Sequence, residues 1–156
     1  MERTLIILKP DAVQRALVGE IITRFEKKGI QVVGMKLMMI SEELAAQHYA
    51  PHKGKPFYDG LVRFMTSSPV VVLALQGKGV IDVARKMMGA TFGFKAEPGT
   101  IRGDYGVSSS FNLIHGSDSP ESAKAELALW FKPEELVNYD LANRVWTYDF
   151  SKGNPE

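Results

Sequence analysis

Apolar positions recur at two spacings along the chain, and the changes of spacing mark its elements. Arg3 to Lys9, short and rich in branched aliphatics, predicts a strand stopped by Pro10. From Val18 to Lys28, Ile21, Ile22 and Phe25 recur at helical spacing opposite Glu20, Arg24, Lys27 and Lys28, and Gly29 supplies the stop. Ile30 to Met39 returns to a strand pattern. Ser41 followed by Glu42 and Glu43 opens a helix to about Tyr49. Pro51 to Pro56 reads as a turn, and Phe57 to Thr66 as a further helix. Val70 to Gln76 is a continuous apolar run, the mark of a strand buried on both faces. Val80 to Met88 is helical, Gly89 to Ser110 is glycine-rich and irregular, and Phe111 to Ile114 is a short strand. Ser119-Pro120-Glu121 then starts a helix reaching Phe131.

This alternation predicts helices packed on a sheet in one α/β or α+β sandwich. Neither a repeat nor a linker divides the 156 residues, so residues 1–150 read as one domain and 151–156 as a flexible tail. The chain carries 19 Lys and Arg against 18 Asp and Glu, a net charge of +1 that provides no general pull toward nucleic acid or membrane. The absence of cysteine excludes disulfides, thiolate chemistry and cysteine-bound zinc. The longest apolar run, Val70 to Leu75, is far short of the roughly 20 residues that span a bilayer. With no secretory signal either, the expected location is cytoplasmic.

Some chemistry is excluded at once. No G-x-x-x-x-G-K-[ST] loop is present, and Gly77-Lys78-Gly79 is too short a motif to replace one. His48 and His52 are separated by Pro51, which breaks the helix they would need to share as metal ligands, so both read as surface histidines. His115 stands where strand gives way to helix, a position that serves equally as a strand-end cap or as a side chain facing a ligand crevice. Asn112, three residues earlier, shares its face only if the strand ends or bulges between them. Glu126 is either a solvated helix residue or the group that orients the imidazole. Thr91, Thr100 and Arg102 in the glycine-rich stretch, with Arg85 and Lys9, form a basic set suited to polyphosphate.

The octapeptide Asn112 to Ser119 (NLIHGSDS) resembles the active-site signature of nucleoside diphosphate kinases. The similarity extends through Glu2-Arg3-Thr4, Lys9-Pro10-Asp11, Val18 to Ile21, His48-Tyr49, Pro69-Val70-Val71, Pro98 to Asp104 and Trp130 to Leu136. That resemblance implies an α+β fold with a ferredoxin-like βαββαβ core, a four-stranded antiparallel sheet and additional helices. It implies ping-pong transfer of the terminal phosphoryl group from a nucleoside triphosphate, mainly ATP, to a nucleoside diphosphate through phosphorylated His115. Lys9, Tyr49, Arg85, Thr91, Arg102 and Asn112 are then expected at phosphates or ribose. Phe57 would stack on the base beside Leu61 and Ser109, accepting any base, and Glu126 and Ser117 would support His115. Mg2+ would be held mainly by nucleotide phosphates, with Asp118 reaching it through water. The resemblance also implies a homo-oligomer, a hexamer ahead of a tetramer, and the C-terminal segment with Trp146, Tyr148 and Phe150 is too apolar to lie free in solvent.

Three positions depart from the family pattern. Phe92-Gly93-Phe94 replaces the Asn-Pro that commonly follows Thr91 and puts the loop path in question; Ala12 replaces a glycine; Ser109 stands where larger residues flank the base. Two rival readings are a non-catalytic ferredoxin-like binding module, for instance for RNA, and a silent subunit of an assembly. Val70 to Gln76 lacks the interleaved aromatic and basic residues an RNA-binding strand needs.

Overall fold

The computed structural model describes residues 1–156. β1 (Glu2–Leu8) and β3 (Val70–Gly77) are the two central strands of a sheet ordered β2-β3-β1-β4. β2 is Gln31–Met38 and β4 is Ile114–Gly116, and every neighbouring pair is antiparallel. The connection between β2 and β3 is helical, as are those between β1 and β2 and between β3 and β4, so the ferredoxin-like core expected from the resemblance is present.

The unbroken apolar runs of β1 and β3 follow from their central place. Ile6, Leu8, Leu73 and Leu75 pack on one face, and Leu5, Ile7, Val70, Val72 and Ala74 on the other. Each buried aliphatic side chain contributes about 1.5–3 kcal/mol. The first face is covered by α1 (Pro10–Gln14), α2 (Val18–Lys27) and α5 (Val80–Met88) through Ala12, Ile21, Phe25, Val80, Ala84 and Met88. The second face lies under α3 (Glu42–His48), α4 (Tyr58–Met65) and α7 (Pro120–Trp130) through Ala45, Met65 and Trp130.

Several boundaries differ from the sequence reading. Pro10 ends the strand but also opens α1, because a proline at the first helical position surrenders only an N–H that would be unpaired anyway. The apparent loop Gly89 to Ser110 contains a 3-10 turn at Gly93–Lys95 and a five-residue helix, α6 (Ile101–Tyr105), whose cap Thr100 accepts the Gly103 N–H. Phe111 to Asn112 is not strand: β4 begins at Ile114, and His115 lies inside it opposite Ile7. A register shift between Val32 and Gly34 in β2 breaks the alternation there.

Beyond a 3-10 turn at Pro133–Glu135, the chain returns along β2. Val137 donates its N–H to the Val33 carbonyl and the Tyr139 hydroxyl donates to the Val32 carbonyl. The last helix is α8 (Arg144–Thr147), and the backbone of Asp149 and Glu156 pairs reciprocally at the terminus. No helix is long and apolar enough to cross a membrane.

Candidate active site

α7 lies against β1, and this packing brings Glu126 over β4. His115 Nε2 is 2.8 Å from Glu126 Oε2. The same oxygen accepts the Ser117 hydroxyl at 3.0 Å, and Ser117 Oγ accepts the Leu5 N–H at 3.2 Å. Burial works against the Glu126 charge. The hydrogen bonds from His115 and Ser117 and the neighbouring imidazoles outweigh it and hold the carboxyl below its ordinary range. An ionised carboxylate only accepts, so Nε2 carries a proton, and in the neutral ring the lone pair is then on Nδ1. Glu126 is therefore no solvated helix residue, and Ser117 acts on His115 through Glu126.

The obstacle to Asn112 and His115 sharing a site is removed by one residue. Leu113 has φ +72, and Ile114 N–H donates back to the Asn112 carbonyl at 2.8 Å, a γ-turn that reverses the expected alternation. A left-handed leucine costs on the order of 1–3 kcal/mol and persists only where its surroundings hold it. Arg102 braces the turn, donating to the carbonyls of Asn112 (3.1 Å), Ile114 (2.7 Å) and Gly89 (3.1 Å).

Asn112, so placed, accepts Lys9 Nζ at 2.7 Å and donates to the Thr91 carbonyl at 3.0 Å. The Thr91 carbonyl is thus tied to Asn112, and Phe92-Gly93-Phe94 continues the loop from there. Gly93 lets the loop press on Gly106, whose carbonyl oxygen would stand 2.3 Å from any Cβ there. Arg85, on α5, reaches the Gly116 carbonyl at 3.4 Å. Burial and the charge of Arg102 pull Lys9 down to about 8, partly offset by Asp11. Burial and Arg85 lower Arg102 to about 10. Three cationic side chains, Lys9, Arg85 and Arg102, thus gather around the β4 end of the sheet, a grouping suited to a polyanion.

His48 is not a surface histidine. Its ring meets His115 edge-on at 4.8 Å, and its Nδ1 accepts the Trp130 indole N–H at 3.0 Å. Burial foremost, then the charge of His115, depresses it to about 4. Pro51 excludes a shared helix for the two histidines but does not send both rings to solvent. The turn it makes points His48 and His52 to different neighbours along one chain of rings. Tyr49 meets His48 at 4.6 Å and stacks on His52 at 6.3 Å, and His52 meets Phe57 at 5.4 Å. Phe57, half exposed at 52%, thereby stands at the outer end of a path that starts at His115. Leu61 is half-buried on α4. Ser109 is exposed in a loop that Phe111 anchors by stacking on Phe64 of α4 at 4.7 Å. Burial raises the Tyr49 hydroxyl above its ordinary range, and that hydroxyl has no hydrogen-bond partner.

An imidazole held on one nitrogen by a carboxylate, with ammonium and guanidinium groups near it at the edge of an antiparallel α+β sheet, suits a phosphotransferase with a histidine nucleophile. The particular family follows from comparison with known proteins. Residues 2–136 match the family model described as nucleoside diphosphate kinase. The nucleoside diphosphate kinase of Carboxydothermus hydrogenoformans is 61% identical over 149 residues, covering 96% of this chain and all of that one. The Bacillus cereus enzyme of the same name is 57% identical over 95% of this chain and all of its own. Among solved structures, a halophilic nucleoside diphosphate kinase from Halobacterium salinarum in complex with CDP superposes with a TM-score of 0.93. It is 50% identical, over 95% of this chain and 99% of that one. The chain belongs to the nucleoside diphosphate kinase family, and its activity is phosphoryl transfer between nucleotides.

Proposed function

We propose that His115 Nδ1 is the atom that carries the phosphoryl group. The observation that supports this most directly is the Nε2–Glu126 hydrogen bond, which leaves Nδ1 as the only nucleophilic ring nitrogen. Nδ1 attacks the terminal phosphorus of a nucleoside triphosphate. The P–Nδ1 bond forms as the bond from phosphorus to the bridging oxygen breaks, and the nucleoside diphosphate departs with that oxygen. The Nε2 proton stays between ring and carboxylate, where Glu126 balances the positive charge the ring acquires. An acceptor diphosphate runs the same exchange in reverse, regenerating the free imidazole.

Charge in such a transition state spreads over three equatorial oxygens. Arg85, Lys9, Asn112 and Thr91 would receive those oxygens and the neighbouring phosphates. Arg102 spends three donors on backbone carbonyls, and its remaining two N–H groups are free for phosphate. The unpartnered Tyr49 hydroxyl suits a phosphate or ribose oxygen. Phe57, Leu61 and Ser109 form the outer region for base and sugar, where stacking accepts any base because every base has a π-face. The CDP held by the Halobacterium salinarum relative supports a nucleotide here.

A divalent cation fits this arrangement only as nucleotide-borne. The one group of three ligand-type side chains, His48, His115 and Glu126, is nitrogen-rich and unlike the oxygen set Mg2+ demands. Asp118 is exposed and held ionised by Ser122 first, then by Arg85 and His115, and is suited to a bridging water. Mg2+, when bound with the substrate, would supply neutralisation of phosphate charge.

The same reading includes self-association and a cytoplasmic setting. Met35 and Leu37 stand exposed on the edge strand β2 with Met39 just past its end, and Trp146 is 91% exposed, apolar surface that a second copy would cover. The decisive experiment for the chemistry is incubation with γ-labelled ATP. Acid-labile, alkali-stable label on His115, removable by a diphosphate, is expected in the wild type and absent in His115→Ala. A His115→Ala protein that turns over near the wild-type rate would disprove the mechanism.

A further inference from the structure

The left-handed turn at Leu113 is held from two sides, and only one of them is Arg102. On the other, both polar backbone groups of Leu113 are taken by the corner where β1 runs into α1. Its carbonyl accepts the Lys9 N–H at 2.8 Å, and its N–H donates to Asp11 Oδ2 at 3.0 Å. Pro10 stiffens the intervening residue, so the two anchors move together. The partner on the carbonyl side is backbone and cannot be varied by sequence. The partner on the amide side is a single side chain.

Asp11 is half-buried, and its second oxygen, Oδ1, is buried with no partner. Burial raises its carboxyl above the ordinary range, against the favourable Leu113 N–H and Lys9 charge. A carboxylate kept in such a costly place, with one oxygen committed to a strained backbone amide, needs a reason that α1 alone does not provide. The Asp11 and Ala12 amides at the start of α1 also favour the charge, but less than the Leu113 N–H does.

We infer that Asp11 is a positioning residue for phosphoryl transfer: it clamps the Leu113 amide and so sets Asn112 and Lys9 against the His115 nucleophile. The inference rests on His115 being the phosphorylated residue. Without the clamp, Leu113 relaxes toward negative φ, Ile114 and Asn112 swing with it, and the Asn112–Lys9 pair leaves its place relative to Nδ1. Misplacement of reacting groups by about 1 Å costs on the order of 100-fold in rate.

The test is single-turnover labelling by γ-labelled ATP in wild type, Asp11→Ala and Asp11→Asn, each with a melting curve and Leu113 amide exchange by NMR. Asp11→Ala removes the acceptor and should label His115 roughly 10- to 100-fold more slowly, with an unprotected Leu113 amide. Asp11→Asn keeps an oxygen on that amide while losing the charge. It should recover most of the rate and the amide protection, even if it melts lower. Should Asp11→Ala fail to fold, Asp11→Asn still decides: a folded Asp11→Asn that has lost the rate overturns the clamp. So does an Asp11→Ala as fast as wild type, or equal losses in both variants, which would assign Asp11 to balancing Lys9 instead. Failure of the underlying reading looks different, because the wild type would then carry no label on His115.

Discussion

Replacing Glu126 by Gln separates charge from hydrogen bonding at the nucleophile. Both contacts, from His115 Nε2 and from Ser117 Oγ, end on the same oxygen, Oε2. A glutamine whose amide oxygen occupies that place keeps both bonds and loses only the negative charge. What it forfeits is attraction to the positive charge that develops on the ring as phosphorus bonds to Nδ1. A full charge pair about 4 Å apart at an effective permittivity near 20 is worth about 4 kcal/mol. The transition state carries part of that charge, and the side chains of His115 and Glu126 are 24% and 18% exposed, so water screens some of it. A net loss of about 1–2 kcal/mol remains, or about 5- to 30-fold in rate. Glu126→Ala should cost more, since it also frees the ring and orphans the Ser117 hydroxyl. Rapid-quench labelling of His115 without acceptor measures the step directly, and calorimetric ADP binding checks that the pocket is intact. Wild-type labelling in Glu126→Gln would refute the electrostatic role. A loss equal to that of Glu126→Ala would show that the charge alone matters and orientation adds nothing.

Lys9, lowered to about 8, should make kcat/KM fall as pH rises through 8, because the free enzyme loses an ammonium that phosphate needs. Saturating kcat should change less, since bound phosphate holds the proton on, and a flat kcat/KM between pH 7 and 9.5 would contradict this. The sign for stability is opposite: above about 8 the unfolded chain holds the Lys9 proton that the folded one has released, so this residue's contribution to folding improves with pH up to about 10.5. Gly93→Ala should destabilise the fold by about 1–3 kcal/mol, seen as a lower melting temperature, because its Cβ would meet the Gly106 backbone. An unchanged melting temperature would mean that the close approach is not needed.

The chain's own pattern was enough for the central strands. Val70 to Leu75 and Leu5 to Leu8 are apolar without interruption because both faces of β1 and β3 are covered, and that condition is written in composition. Ser119-Pro120 carried the start of α7 for an equally local reason: the Ser119 hydroxyl accepts the Ser122 N–H and proline suits the first turn. His115, with its basic neighbours, stood out as a motif. Its place within β4 was misread because strand pairing with Ile7, a partner more than a hundred residues away, decides where β4 begins.

Local sequence specified which residues were available and where most helices start. Only the tertiary structure decided which of them meet. The turn at Leu113, which no propensity scale favours in a leucine, exists because Arg102, Lys9 and Asp11 arrive from two distant segments to hold it. His48 looked solvent-facing until Trp130, 82 positions later, came to donate to it. Backbone strain and long-range hydrogen bonds of this kind carry no periodicity, since each depends on chain closure rather than on neighbouring residues.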